Sequence, residues 1–164
     1  MSSRSYSATR SAPSPLRLIV GVLLAFGITA AQAGYFELRK FRGHVVLIDF
    51  WASWCTSCRQ EFTWLNAMHD AYARRGLTVI GINVDEDRTL ADEFLRENEA
   101  HFTVIYDTGG RIASAFKVVG MPTTVFVDRD GHARYQHVGF QAKNKDHYED
   151  EIRALLDEKG ILPL

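Results

Sequence analysis

The sequence predicts an α/β fold with a central mixed β-sheet: parallel strands at the centre, an antiparallel edge, and helices flanking both faces. Short apolar, β-branched runs alternate with segments of helical periodicity along most of the chain. The alternation ends in two β-rich runs around Asp130-Gly131, which is a strong hairpin signal. A last helical segment follows, and the buried parallel strands of such a sheet need helices on both faces.

The first half of the predicted domain consists of a strand, a helix and a second strand. Residues 44–50 are nearly all apolar, as expected of a central strand, although Asp49 interrupts them. Apolar residues at three- and four-residue spacing then continue from Cys55 until Gly76, which ends the helix. Residues 77–84 form a second buried strand.

The second half continues the alternation. Thr89 with Asp92 offers a capping pair at the start of the second helix. The remaining elements are a strand within residues 101–107, a short helix within 109–116, the hairpin within 123–139 and a closing helix over 144–159. Ahead of the first central strand, residues 35–38 leave room for one more strand.

Residues 1–33 have the features of an export segment. They contain no Asp or Glu, carry three arginines, and lead into an apolar run. Residues 31–33, Ala-Gln-Ala, fit the small-x-small cleavage pattern, so residues 34–164 are predicted to be the mature domain. The Ser- and Arg-rich start also has the composition of a mitochondrial transit peptide, against which the uninterrupted apolar run argues. An uncleaved membrane anchor remains open.

Charge and cysteine content exclude several classes of protein. Without the three leader arginines the chain has 16 basic and 20 acidic side chains, a net charge of −4 with neutral histidine. This balance offers no basic patch for nucleic acid. Two cysteines are too few for a disulfide-built scaffold. At this length we expect one domain with a single core, and a monomer.

The two cysteines, Cys55 and Cys58, lie in the stretch IDFWASWCTSCRQEF. A permanent disulfide here would close a tiny loop and constrain the unfolded chain little. A zinc site needs four ligands, and the histidines are scattered; His132 and His137, five apart, would lie on opposite faces of a strand. A thiol at a helix start has its pKa lowered by backbone N–H groups and the helix dipole. Cys55 is therefore the predicted reactive thiol, and Cys58, one turn later and more buried, suits resolution of a mixed disulfide.

Asp49, like the two cysteines, stands at a position that indicates a chemical role. A carboxylate inside an apolar strand is costly without partners, so a buried Asp49 should have a raised pKa. Such a group can exchange protons near neutral pH, which is the chemistry that a resolving thiol requires.

Three stretches carry a resemblance to a known family. Residues 49–59, DFWASWCTSCR, resemble the thioredoxin active-site segment, and residues 58–61, CRQE, resemble the exported TlpA/ResA-type thiol-disulfide oxidoreductases. Residues 120–131, GMPTTVFVDRDG, resemble the second signature of the thioredoxin superfamily. The resemblance runs over about 41–156 and implies a thioredoxin fold with the TlpA-type insertion, here roughly 84–116.

The resemblance implies the same attacking and resolving roles for the two cysteines, and it adds the residues around a bound partner. Pro122 would be the cis-proline that faces the disulfide, and Met121 would touch the partner's cysteine. Trp54 and Thr123 are expected to contact the partner as well. The tryptophans are otherwise interpreted as packing residues: Trp51, Trp54 and Trp64. A place in the partner groove is the alternative for Trp51 as well as for Trp54.

The resemblance also implies roles for two acids. Asp49 matches the buried aspartate of thioredoxin, which assists proton movement at the second cysteine, and Glu61 matches the active-site glutamate of the ResA-like reductants. A solvated position on the helix surface is the alternative for Glu61. Thr56-Ser57 replaces the proline-containing dipeptides common in the family, so the direction of electron transfer stays open. Thr63 replaces a proline that kinks the helix in many relatives.

The predicted function is that of an exported, periplasm-facing thiol-disulfide oxidoreductase, which exchanges two electrons with protein cysteines through a mixed disulfide at Cys55. By resemblance it reduces selected substrates, such as apocytochrome c or copper-site proteins, is recharged by a membrane thiol donor, and needs no bound cofactor or metal. A dithiol oxidant or isomerase is the alternative, distinguished by its reduction potential. A copper-delivery protein would need a third ligand near the thiols, and a redox-inert binding module would have a pair that cannot cycle.

Overall fold

In the computed structural model, which describes residues 37–160, five strands form one mixed sheet in the order β3-β2-β1-β4-β5. The strands are β1 (Val45–Trp51), β2 (Leu77–Asn83), β3 (Thr103–Tyr106), β4 (Thr123–Val127) and β5 (Ala133–Val138). The helices are α1 (Thr56–Tyr72), α2 (Arg88–Glu97), α3 (Arg111–Ala115) and α4 (Lys145–Asp157). β1, β2 and β3 run parallel, whereas β4 is antiparallel to both β1 and β5. The predicted parallel centre with an antiparallel edge is confirmed.

Helices cover both faces of the sheet because successive side chains of β1 point to opposite sides. Leu47 and Trp51 pack in one apolar cluster with residues of α1, α2 and α4. Ile48 and Phe50 pack in a second cluster with residues of α3 and of a short 3₁₀ segment ahead of β1. All seven residues of β1 are buried, as the near-continuous apolar run predicts.

Glycines stand at two positions where the packing or the backbone requires them. Gly76 follows a 3₁₀ turn at the end of α1 and has φ +97°, so the predicted helix stop is confirmed. Gly81 in β2 lies opposite Asp49 of β1. A Cβ at Gly81 would lie 2.9 Å from the ring of Phe102 and 3.1 Å from Trp51 Nε1, so two aromatic rings occupy the space of a side chain.

Two local predictions are wrong. α2 is capped by Asp87, whose carboxylate accepts a hydrogen bond from the backbone N–H of Thr89 at 2.9 Å, and not by the predicted pair of Thr89 with Asp92. An aspartate one residue ahead of the helix satisfies a free N–H group and meets the positive end of the helix dipole. Of the strand expected over residues 35–38, residues 35 and 36 lie outside the described residues, and Leu38 begins the 3₁₀ helix Leu38–Phe41 instead. Its three-residue spacing places Leu38 and Phe41 together against the second apolar cluster.

The predicted leader and its cleavage point lie outside the described residues. Within residues 37–160, no helix is both long enough and apolar enough to cross a membrane. The predicted insertion, residues 84–116, contains α2, β3 and α3, and β3 forms the edge of the sheet beside β2.

Candidate active site

The two cysteines form a disulfide where the chain leaves β1 and enters α1. Cys55 is the residue that caps α1, and its sulfur accepts the backbone N–H of Cys58 at 3.2 Å. The S–S distance is 2.08 Å. Cys55 is 5% exposed and Cys58 is completely buried. The first sulfur therefore meets a backbone N–H of the helix start, as the sequence predicts, while the second faces the protein interior.

The turn ahead of Cys55 is held by a carboxylate that the sequence analysis missed. Asp85, which is 3% exposed and follows β2, accepts hydrogen bonds from the backbone N–H of Ser53 at 2.9 Å and from its hydroxyl at 3.0 Å. The side-chain amide of Asn83 donates to the same carboxylate at 2.7 Å. Its position in the sequence could have indicated this role. Asp85 comes just after the carboxyl end of β2, and the cysteines follow the carboxyl end of β1, which runs parallel to β2.

Both predicted acids are buried. Asp49 is fully buried, and neither of its oxygens has a hydrogen-bond partner within residues 37–160. Burial raises its pKa well above the usual range, and the nearby charge of Glu61 raises it further. Glu61 lies on α1 one turn after Cys58 and is 2% exposed, which excludes the solvated alternative.

Glu61 keeps one specific partner. The hydroxyl of Thr124 donates to Glu61 Oε1 at 2.6 Å, while Glu61 Oε2 is buried and has no hydrogen-bond partner in the described part of the chain. Burial raises the pKa of Glu61 to about 7, against the hydrogen bond from Thr124, which lowers it. Thr124 was not singled out by sequence analysis, because only the β1–β4 register places it opposite Asp49.

The basic residue of the CRQE stretch is engaged away from the acids. The Arg59 guanidinium forms an ion pair with Glu97 at 3.1 Å and lies 4.8 Å from the ring centre of Phe94. Both partners belong to α2, so the cation next in sequence to Cys58 is directed toward the insertion.

The loop ahead of β4 contains Pro122. The Met121–Pro122 peptide bond is cis, and Pro122 is buried. Thr123 lies opposite Phe50, so Pro122 lies beside the C-terminal end of β1, where the chain continues toward the cysteines. Met121 is partly buried and packs against both apolar clusters. The contact roles of Pro122 and Met121 remain predictions.

Of the residues predicted to contact a partner protein, Trp54 is exposed and Thr123 is buried. Trp54 is 69% exposed beside Cys55, so it is not a packing residue; it is available to a partner. Thr123 is completely buried, and its hydroxyl donates to the backbone carbonyl of Gly120 at 2.7 Å. Its side chain stabilises the loop and is not open to a partner in this structure. Trp51 and Trp64 are buried, as the packing interpretation predicts.

No group of three or more His, Cys, Asp or Glu side chains within residues 37–160 is arranged to hold a metal ion. His132 lies in the hairpin turn, whereas His137 lies in β5 beneath α4. The third ligand that a copper-delivery site requires is therefore not seen beside the thiols in the part of the chain that the structure describes.

Residues 22–136 match the model of the AhpC/TSA family. Among curated relatives, the thiol-disulfide oxidoreductase ResA of Bacillus thuringiensis subsp. konkukian is 29% identical over 120 residues, which span 73% of this chain and 69% of the relative.

Solved structures of other proteins also resemble this chain. A Chlorobium tepidum protein assigned as the thiol:disulfide interchange protein DsbE is 41% identical, with a TM-score of 0.72 over 74% of this chain and 86% of that chain. A secreted Mycobacterium tuberculosis disulfide oxidoreductase, 24% identical, superposes with a TM-score of 0.62 over 73% of this chain and 88% of its own, and supports the fold alone. The mixed five-stranded sheet with flanking helices is thus a thioredoxin fold, as predicted.

Proposed function

This chain belongs to the AhpC/TSA family of the thioredoxin superfamily and is a thiol-disulfide oxidoreductase, and from that premise we propose that it is an exported reductase of selected protein disulfides. The observation that carries the proposal is the disulfide at the start of α1 with the buried Glu61 one helical turn beyond it.

The proposed reaction begins with Cys55. In the reduced protein the N–H groups of α1 stabilise the Cys55 thiolate, which attacks a disulfide of the substrate protein. A mixed disulfide forms, and the first substrate sulfur leaves as a thiolate. Cys58 then loses its proton to a buried carboxylate and attacks Cys55 Sγ. The Cys55–Cys58 disulfide closes, the second substrate sulfur leaves, and two electrons have passed to the substrate.

Glu61 is the better acceptor for the proton of Cys58. An acceptor must be ionised at the working pH, and the pKa of Glu61 is about 7, whereas the pKa of Asp49 is held well above its usual range by burial without hydrogen bonds. Glu61 also lies three residues after Cys58 on the same helix, so the two side chains share a face.

The buried acids also support the direction of transfer. A dithiol is a strong oxidant when its reduced, thiolate form is stabilised. Here a carboxylate beside Cys58 disfavours a second negative charge, and the neighbouring cation of Arg59 is paired with Glu97. These features oppose the stabilisation that the helix start gives to the Cys55 thiolate, and from their balance we infer a reductant.

The direction is tested by equilibrating the protein with glutathione buffers. We expect a reduction potential near or below that of glutaredoxins, roughly −230 mV or lower, and a value close to the roughly −120 mV of DsbA would instead identify a dithiol oxidant. Asp49→Asn and Glu61→Gln separate the acids. The variant that slows turnover of a disulfide substrate at neutral pH, with thermal stability retained, marks the proton acceptor.

Substrates, partners and location complete the proposal. Protein disulfides are the substrate class, with apocytochrome c or copper-site cysteines as candidates and a membrane thiol protein as the electron donor. A Cys58→Ser variant expressed in the native cell should retain its partners as mixed disulfides on Cys55, because the resolving thiol is missing. N-terminal sequencing of the isolated protein tests export: a start near residue 34 supports cleavage, and a start at Met1 in the cytosol contradicts it.

A further inference from the structure

Three side chains form a row across neighbouring strands, on the face of the sheet that α1 and α4 cover. Asp49 of β1 lies opposite Thr124 of β4, and Thr124 lies opposite His137 of β5. Directly opposed residues of antiparallel strands place their side chains on the same face, about 5 Å apart at Cβ. The row therefore extends from the buried acids toward the β5 edge of the sheet.

The inner end of the row meets Glu61. Thr124 donates to Glu61 Oε1 at 2.6 Å, and the unpartnered Glu61 Oε2 is buried. A narrow cleft is lined by Glu61, Thr124 and His137 together with Trp64, Phe126, Gly139 and Tyr148. Glu61 of α1 and His137 of β5 therefore line the same narrow cleft, which α4 closes through Tyr148.

The outer end of the row reaches solvent through α4. His137 Nε2 lies 2.7 Å from Glu151 Oε2, and Glu151 Oε1 lies 3.3 Å from His147 Nε2. The exposed fractions of the three side chains are 25%, 10% and 66%. A neutral imidazole accepts a proton on one nitrogen while it releases another from the second. His137, Glu151 and His147 thus form a series of groups that can each accept a proton and pass it on, as stepwise proton transfer needs.

Within residues 37–160, the two sulfurs and Asp49 have no comparable chain of polar side chains that leads to solvent. Cys58 and both oxygens of Asp49 are completely buried, and Cys55 is 5% exposed. The ionisable groups around His137 are Glu61 of α1 and Tyr148, Glu151 and His147 of α4, and Asp49 of β1 lies one strand further along the row. No lysine or arginine is in ionic contact with Glu151 or with the histidines of this route in residues 37–160.

We propose that His137, Glu151 and His147 form the route by which the proton released from Cys58 leaves the buried acids for solvent, and by which it returns when the disulfide is reduced again. This proposal rests on the proposed thiol-disulfide exchange. In the resolving step the Cys58–H bond breaks, the Cys58–Cys55 bond forms, and the bond from Cys55 to the substrate sulfur breaks, with its electron pair leaving on that sulfur. The proton passes to Glu61, then to His137, while a proton on the other ring nitrogen is released toward Glu151.

The route is tested with His137→Gln in the full-length, fully reduced protein. Rapid mixing with the aromatic disulfide 5,5′-dithiobis(2-nitrobenzoate) releases one coloured thiolate when Cys55 attacks and a second when Cys58 resolves the mixed disulfide. We expect the second release to slow by about tenfold or more at neutral pH, with the first changed by less than about twofold. The deficit should shrink as pH rises, because hydroxide takes over as acceptor, and added imidazole should accelerate the second release in the variant.

A matched control is available in His101. Its Nδ1 lies 2.9 Å from Asp70 Oδ2, so it forms the same kind of histidine–carboxylate pair, but it is 44% exposed and lies off the row. His101→Gln should leave both releases unchanged. The redox equilibrium with glutathione should also stay within about twofold in His137→Gln, because a relay changes rates and not end states.

Other results decide against the route. An unchanged second release in folded His137→Gln would overturn it, and so would an equal slowing of both releases or a shifted redox equilibrium, which would show a structural role for the ring. If His137→Gln does not fold, the exposed His147→Gln serves: a second release that slows and becomes buffer-dependent supports the route, and an unchanged one overturns it. Failure of the underlying thiol-disulfide exchange is separate, because the wild-type protein would then show no second release.

Discussion

Replacing Glu61 by glutamine should remove a specific pH dependence of stability. Burial raises the pKa of Glu61 from 4.5 to about 7 in the folded protein. Between these values the native state holds a proton that the unfolded chain has released. The contribution of Glu61 to the unfolding free energy of the oxidised wild type is therefore highest below pH 4.5. It falls as the pH rises from 4.5 to about 7 and levels off above that.

The magnitude follows from the width of the window. One proton contributes about 1.4 kcal/mol per pH unit, so a window of about two and a half units corresponds to about 3 kcal/mol. Glutamine does not titrate, and its carbonyl can still accept the hydrogen bond from Thr124. Its buried amide lacks an evident partner, which costs about 1–3 kcal/mol at every pH. The difference between variant and wild type should therefore change by about 3 kcal/mol across the window in favour of the variant.

Urea unfolding of the oxidised proteins at intervals between about pH 4 and pH 8 measures this difference. The control is Glu86→Gln, which makes the same substitution at an exposed position outside α1 and the sheet. A Glu61→Gln difference that stays constant within about 1 kcal/mol would show that Glu61 is ionised in the fold at the same pH as in the unfolded chain, and the proton-acceptor argument would fail.

Three further predictions concern the surroundings of the disulfide. Iodoacetamide should label Cys55 before Cys58 in the reduced protein, as peptide mapping would show, because the helix start stabilises the Cys55 thiolate; faster labelling of Cys58 would reverse the roles. Gly81→Ala should lower the unfolding free energy by about 1–3 kcal/mol in urea unfolding, because the added methyl meets aromatic rings; an unchanged midpoint would mean that the rings can move. Asp85→Ala should cost about 1–3 kcal/mol by removing the acceptor of both Ser53 hydrogen bonds, and increased hydrogen exchange at the Ser53 amide would locate the effect; unchanged exchange would argue against it.

The order of elements could be predicted because the periodicities are local. The near-continuous apolar run of β1 and the spaced apolar residues of α1 each report their own burial pattern, and Gly76 marks the helix end directly. The cap of α2 could not be predicted with the same certainty. Asp87, Thr89 and Asp92 all offer suitable side chains, and the choice depends on where the chain turns after β2. Asp92 is used elsewhere, since it accepts the hydroxyl of Tyr106 in β3 at 2.7 Å.

The site was predictable as far as it is contiguous in sequence. Cys58 follows the capping Cys55 by one turn, and their spacing alone indicates paired roles. The role of Glu61 on the same helix came from the resemblance, because one helix position does not show whether a side chain is buried. Thr124 and His137 join the site only through the register of β1 with β4 and of β4 with β5. A strand pattern gives the face of a residue but not its partner across the sheet, because a shift by two residues preserves the pattern. The polar row therefore becomes visible only in the folded sheet.

The two acids are best understood together. Two carboxylates that share a buried site resist double ionisation, so near neutral pH the pair tends to hold one proton. Thr124 breaks the symmetry: its hydroxyl donates to Glu61, while the oxygens of Asp49 have no hydrogen-bond partner within residues 37–160. The negative charge is thus favoured on Glu61, which lies on the same helix as Cys58, and the proton is kept on Asp49. A proton arriving from Cys58 then neutralises the pair, and its release restores one charge.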